Sequence, residues 1–278
     1  MKLPPISFEF FAPKTAEGHQ RLAQVRAQLD VAQPEYFSVT YGAGGSSHDG
    51  TLQTVHAIHA EGRSVAPHIS CIGATKATIR ALLDDYAQLG IKKLVALRGD
   101  LPSGYGLGGE FRYATDLVQF IRDQYGNQFE IWVAAYPEYH PQSRSAQQDL
   151  DHFIDKMTAG ATGAITQLFY NSDAYFHFVD EVAARGIDPA RQPIVAGIMP
   201  IHNFSKIHRF AESCGAEIPR WITLKMQGMG DDNAAISAFG TEVVANLVSQ
   251  LASVGCPGLH FYTLNQAGPT LSVLEGLR

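Results

Sequence analysis

The chain has 278 residues, 45% hydrophobic and 17% charged, the balance of a globular protein that can bury a sizeable core in one large domain or two small ones. Its 27 acidic and 21 basic side chains give a net charge of −6 with no Lys/Arg cluster, so nucleic acid is not an expected partner, and no apolar run is long enough to cross a membrane. The opening MKLPPISFEFF lacks the features of an export signal, and Cys71, Cys214 and Cys256 are odd in number without CxxC spacing, so a cytoplasmic protein with buried thiols is expected.

From the amino terminus, β-rich runs alternate with helical patterns. PISFEFF, from Pro5, reads as a strand and is followed by a helix with Leu22, Val25 and Leu29 on one face. YFSVTYG from Tyr36 and SVAPHIS from Ser64 are the next strands, the latter followed by a helix carrying Ile79, Leu82, Leu83 and Tyr86, with Gly90 at its C-cap. KKLVALRG from Lys92, EIWVAAYP from Glu130 and AITQLFY from Ala164 continue the series. A helix with Tyr175, Phe178, Val179 and Val182 ends near Gly186, and PIVAGIMP follows from Pro193. The next interval is longer and holds a helix near Asn203 to Cys214 and a second with Ile236, Phe239, Val243, Leu247 and Leu251 at helical spacing, before LHFYTLN from Leu259. Eight near-continuous apolar strands, each followed by a helix, predict an α/β fold, a (β/α)8 TIM barrel forming a single domain over residues 1–278. An open doubly wound sheet is the alternative.

In a barrel, chemistry gathers where the carboxyl ends of the strands converge. Those ends carry Glu9, Thr40, Tyr41, His68, Arg98, Asp100, Tyr136, Glu138, His140, Gln167, Tyr262 and Asn265. Alternation puts Ser7, Glu9 and Phe11 on one face and Phe8 and Phe10 on the other, pointing Glu9 into the barrel. Burial there is expected to raise its pKa, as suits a general acid; a structural carboxylate paired with a buried Arg or Lys is the competing reading.

Other motifs carry less. GYGLGG, Gly104 to Gly109, has the spacing of a dinucleotide fingerprint, but four residues separate it from the strand, so a flexible loop is expected. GAGGS, Gly42 to Ser46, suits either close ligand approach or a plain turn. His56 and His59 have no third ligand nearby and read as solvent-facing. Lys156 faces solvent or a ligand phosphate, and spacing alone favours solvent.

Taken together, SFEFFAPKT, SVTYGAGG, APHISC, VALRGD, AAYPEYHP, AITQLFY and HFYTLN resemble, in order and over essentially the whole chain, the bacterial methylenetetrahydrofolate reductases. The resemblance implies an FAD-bearing barrel in which NAD(P)H reduces the flavin, leaves, and is replaced by 5,10-methylenetetrahydrofolate. That substrate is reduced to 5-methyltetrahydrofolate, feeding methionine synthesis. It implies Glu9 as the proton donor and Asp100 as an anion beside flavin and pterin. It further implies Gln167, Phe210, Tyr262 and Gln266 at the folate, and Thr40, Gln167 and Phe210 at the nicotinamide. For FAD it implies Tyr41, Ala43, His68, Arg98, Gly99, Asp100, Ala114, Tyr136, His140, Asp149, His152 and Lys156.

The chain departs from the family pattern at Ala12, where proline is common, at Gln266, where an arginine is usual, and at Asp155 and His152. Its end at Arg278 leads us to expect no S-adenosylmethionine-sensing domain. No metal is expected, and a homo-oligomer is. Three alternatives compete: a flavin barrel of the proline dehydrogenase type, a metal-dependent hydrolase using His68, Glu138 and His140, and an adhesion module using Arg98-Gly99-Asp100.

Overall fold

The computed structural model describes residues 3–42, 48–99 and 109–277. Its eight strands are β1 (Ile6–Phe10), β2 (Tyr36–Val39), β3 (Val65–Ser70), β4 (Lys93–Leu97), β5 (Glu130–Ala135), β6 (Gly163–Thr166), β7 (Ile194–Ile198) and β8 (Leu259–Tyr262). All neighbours are parallel, and β8 pairs with β1, so the sheet closes into a barrel in chain order; the open-sheet alternative is overturned. Parallel strands need crossovers, and helices supply them: α1 (Ala16–Leu29), α2 (His48–Ala60), α3 (Lys76–Gln88), α4 (Ala114–Tyr125), α5 (Ala146–Thr158), α6 (Ser172–Ala184) and α7 (Phe204–Cys214). Then come α8 (Arg220–Gln227), α9 (Asn233–Ser253) and, after β8, α10 (Gly268–Glu275). None of the described helices is long and apolar enough to cross a membrane.

Local chemistry sets the helix ends. Thr15, Thr75, Ser145, Asn171, Asn203 and Asp232 each accept a first-turn backbone N–H at the start of α1, α3, α5, α6, α7 and α9. Gly90 and Gly186 follow α3 and α6 with φ of +78° and +88°, as their sequence positions predict. Helix α8 was not anticipated. It buries Ile222 and Met226 but leaves Trp221 and Leu224 exposed, so its apolar residues do not form a single stripe in the sequence.

Strand alternation divides the core. Phe8, Phe10, Phe37 and Phe261 point outward under the helices, with ring centroids 5.5 to 6.2 Å apart. Tyr36, Ala66, Val95, Trp132, Ile165 and Val195 form a separate cluster that fills the lower interior. The filled interior makes the barrel a rigid plug, and the carboxyl ends of its strands are the place where polar groups collect.

Candidate active site

Two adjoining regions carry the polar groups, one inside the barrel near its mouth and the other a side cleft outside β4 and β5. The first is built on register. Glu9 lies opposite Ser38 of β2 and Tyr262 of β8, and Ser7 lies opposite Tyr36 and His260. The end of β1 is clamped by the segment after β8: the Thr263 hydroxyl donates to the Glu9 carbonyl at 2.6 Å, and the Asn265 side chain pairs with both backbone groups of Phe11 at 2.9 Å. Glu9 therefore points inward from a backbone held on two sides.

Its partners differ from expectation. Among the described residues Glu9 meets neither arginine nor lysine; its Oε2 lies 3.3 Å from His68 Nε2 and 3.4 Å from His260 Nε2. Burial pushes the Glu9 carboxyl up, but the charge of His68 and the hydrogen bond and charge of His260 outweigh it, so the net displacement is downward. The sequence-based expectation of a raised pKa is corrected accordingly: it counted desolvation and missed two imidazoles brought in from β3 and β8.

His68 is displaced in the same direction. Burial drives its pKa down to about 4, against the opposing pull of Glu9. The unfolded chain therefore takes up a proton from pH 6.5 downward that the folded site refuses until about pH 4, so stability is present above this window and lost as pH falls through it. We expect denaturant titrations to show the protein losing about 2 kcal/mol more between about pH 7 and about pH 5 than a His68→Gln variant does. Equal losses in both proteins would contradict the assignment.

Around this centre, Thr40 is buried with its backbone bonded to Phe10 and Thr51, while its hydroxyl has no partner among the described residues. Buried hydroxyls are usually paired, so this one stands out at the barrel mouth. Tyr41 is half-buried beside it. Across the barrel, the Tyr262 hydroxyl donates to the Thr166 carbonyl at 2.6 Å, bracing β8 against β6. Gly197 leaves room for that brace, since a Cβ there would stand 2.1 Å from the Thr166 carbonyl and 2.7 Å from the Tyr262 ring. Gln167 turns its carbonyl oxygen to the Leu168 N–H at 2.9 Å. Phe210 is half-buried on α7, and exposed Gln266 donates to His202 Nε2 at 3.4 Å.

The side cleft, of about 550 Å3, gathers Arg98, Gly99, Ala114, Tyr136, His140, Asp149, His152 and Lys156 from β4, α4, β5 and α5. Gly99 has φ +86°, and a Cβ there would stand 1.9 Å from Ser70 Oγ, so only glycine fits. Arg98 is held by Gln142 at 2.5 Å, and His140 Nδ1 accepts from the Gln142 N–H at 3.0 Å. Asp149 shapes the loop, accepting from the His140 N–H at 3.1 Å and the Ser143 hydroxyl at 2.7 Å.

Lys156 is turned into the cleft and not toward solvent. Its ammonium donates to the Ala134 carbonyl at 2.5 Å, and burial lowers its pKa to about 8, offset in part by Asp149. Sequence reading missed Tyr113, whose ring stacks on His152 at 5.5 Å along the cleft wall; it precedes α4, outside the strand ends that drew attention.

Ala43 and Asp100 lie outside the described residues, as do residues 43–46 of the GAGGS segment and 104–108 of the glycine-rich loop. Glu138 accepts the Glu217 N–H at 2.8 Å, and among the described residues no three His, Cys, Asp or Glu side chains converge on a metal-sized site.

The pattern that defines the family "Methylenetetrahydrofolate reductase" matches residues 2–278. The chain is 38% identical over 273 residues to 5,10-methylenetetrahydrofolate reductase of Salmonella typhimurium, covering 98% of this chain and 90% of the relative, and the enzyme of Escherichia coli gives the same figures. A probable methylenetetrahydrofolate reductase (NADH) of Oryza sativa is 35% identical over 286 residues, covering 98% of this chain and 48% of that one. Among solved structures, a Clostridium thermocellum protein described as binding two copies of 5-methyl-5,6,7,8-tetrahydrofolic acid has the same fold, with a TM-score of 0.67, 13% identity and coverage of 98% and 94%.

Proposed function

Because the chain belongs to the methylenetetrahydrofolate reductase family and has that reductase activity, we propose that it works as an FAD-dependent enzyme. In this reading NAD(P)H and 5,10-methylenetetrahydrofolate use one barrel mouth in turn, within a single catalytic barrel over residues 1–278. The observation that carries the FAD reading is the side cleft. It joins a lysine ammonium at its inner wall, the start of α4 at Ala114, a glycine that allows close backbone approach and an aromatic stack at Tyr113 and His152. A cation and a helix amino terminus suit a diphosphate, and flat rings suit an adenine.

Bound there, FAD would supply hydride transfer from the reduced nicotinamide to the folate methylene carbon. The rest is work for the side chains. The bridging methylene accepts hydride well only after its ring opens, which requires a proton on N10 and leaves a cation at N5. Glu9 is the acid in this reading, supported by its inward position beneath the mouth. In this reading Asp100, which lies outside the described residues, would supply an anion to the transient cation. Gln167 offers an amide that both donates and accepts, suiting alternate contact with nicotinamide and pterin, and Thr40 offers to the nicotinamide a hydroxyl that is unpaired among the described residues. Phe210, Tyr262 and Gln266 flank the folate. In the same reading Tyr41, Ala43, His68, Arg98, Gly99, Ala114, Tyr136, His140, Asp149, His152 and Lys156 would hold the flavin.

The test is direct. Protein stripped of any ligand and titrated with FAD is expected to quench flavin fluorescence at one equivalent. Protein that takes up no FAD, yet still reduces the folate with NAD(P)H, would sink the flavin reading.

A further inference from the structure

Glu9 is gripped asymmetrically. Oε2 faces both imidazoles, whereas Oε1 has no hydrogen-bond partner among the described residues. The two histidines are not equivalent. His68 Nε2, though 3.3 Å from Oε2, is out of line for a hydrogen bond, and His260 makes one. His260 is fully buried; Ser7 Oγ lies 2.7 Å from Nδ1 on the far side of the ring, while Ser38 Oγ lies 3.4 Å from Nε2, the nitrogen that also faces Glu9. Tyr36 stacks against the ring at 6.1 Å. Among the described residues, the groups that face Glu9 are thus His68 from β3, His260 and Tyr262 from β8, and Tyr36 from β2.

We propose that His260, held in one tautomer by Ser7, is a positioning residue for the reductase: its Nε2–H clamps Oε2 of Glu9 so that Oε1 carries the transferable proton. This inference rests on the reading of Glu9 as the acid. The chemistry follows from donor and acceptor rules. A carboxylate only accepts, so the nitrogen facing it must carry the hydrogen; Nδ1 is then the acceptor, and the Ser7 hydroxyl donates to it.

This arrangement serves both protonation states without moving. In the acid form, Oε2 is the carbonyl-like oxygen and accepts from Nε2–H, while the hydroxyl sits on Oε1. During transfer the Oε1–H bond breaks and the N10–H bond forms. The C–N10 electron pair goes to N10, and the carboxylate charge is left against Nε2–H. No ring flip is required between turnovers, which suits an imidazole with no room to rotate.

The experiment is the pH profile of the folate half-reaction on reduced holoenzyme, measured anaerobically for the parent, His260→Leu, His260→Gln and Ser7→Ala. Loss of a donor to the charged form raises a carboxyl pKa, so in His260→Leu the falling alkaline limb is expected to move up by about one pH unit. The limiting rate is expected to drop about tenfold or more, with reduction by NADH within about twofold of the parent. Gln places an N–H near the Nε2 position and is expected to restore most of both quantities. Ser7→Ala, the mildest change, is expected to shift the limb in the same direction. Nitrogen NMR of labelled histidine is expected to show His260 protonated at Nε2 in the parent and a tautomer mixture in Ser7→Ala.

An alkaline limb that stays in place in His260→Leu, or a His260→Gln as impaired as His260→Leu, would overturn the proposal. So would an Nδ1-protonated ring in the parent. If Glu9→Gln keeps full folate turnover, the acid reading itself fails; if Glu9→Gln is inactive while His260→Leu behaves like the parent, only the positioning role falls.

Discussion

Replacing Glu9 by glutamine is expected to separate the two halves of the reaction. Reduction by NADH should stay within about twofold of the parent, while the folate half-reaction falls by about a thousandfold, the size expected when a placed general acid is removed. Glutamine has nearly the shape of glutamate and can still accept from His260 Nε2–H, so the clamp on β1 and the histidine contacts persist. What it lacks is a transferable proton. The half that only moves hydride from nicotinamide has no use for one, and the half that must open the folate ring does. In the ligand-free site Glu9 is held below the ordinary carboxylate range, so the acid form becomes scarcer as pH rises. The folate half-reaction of the parent is accordingly expected to weaken toward alkaline pH, and that dependence should vanish in the variant. A Glu9→Gln protein that reduces the folate at the parental rate would remove Glu9 from the chemistry.

The second large effect belongs to Lys156. Methionine keeps much of the stem and removes the ammonium, and a charge-assisted bond to phosphate contributes about 2 kcal/mol, so Lys156→Met is expected to bind FAD about thirtyfold more weakly. Folding should not suffer, because burial already opposes the charge and brings its pKa to about 8. Two checks follow. Denaturant stability of the flavin-free variant should equal or exceed that of the parent. FAD affinity of the parent should fall as pH rises past about 8, where the free lysine loses its proton, and the variant should lack that fall. Unchanged affinity in Lys156→Met would move the diphosphate elsewhere.

The barrel was legible because each strand is buried on both faces and so appears as a continuous apolar run, with its polar residues pushed to one end. The inward direction of Glu9 followed from alternation with Phe8 and Phe10, and the glycine ends of α3 and α6 could be read one residue at a time. What surrounds Glu9 could not be read. His68 and His260 lie 59 and 251 positions away in the chain, and they meet Glu9 only because closure sets the β1–β8 register and carries β3 around the mouth. The sign of its pKa displacement was missed for the same reason. His260 lies in HFYTLN and shares the inward face of Tyr262, so alternation marks it as inward-facing but not as a partner of Glu9. Lys156 was ambiguous because helical spacing shows only that a residue lies on a boundary; which side its ammonium takes depends on the Ala134 carbonyl, which is set by β5. Helix α8 escaped because its exposed Trp221 and Leu224 blur the stripe formed by Ile222 and Met226.

The central claim, that one mouth serves donor and acceptor in turn through a bound flavin, is tested most directly by anaerobic half-reactions on the FAD-loaded protein. Addition of NADH or NADPH alone is expected to bleach the flavin absorbance. Addition of 5,10-methylenetetrahydrofolate alone to that bleached protein, after removal of the nucleotide, should restore the absorbance with one equivalent of 5-methyltetrahydrofolate formed. Absorbance that stays bleached in the presence of the folate would contradict the account.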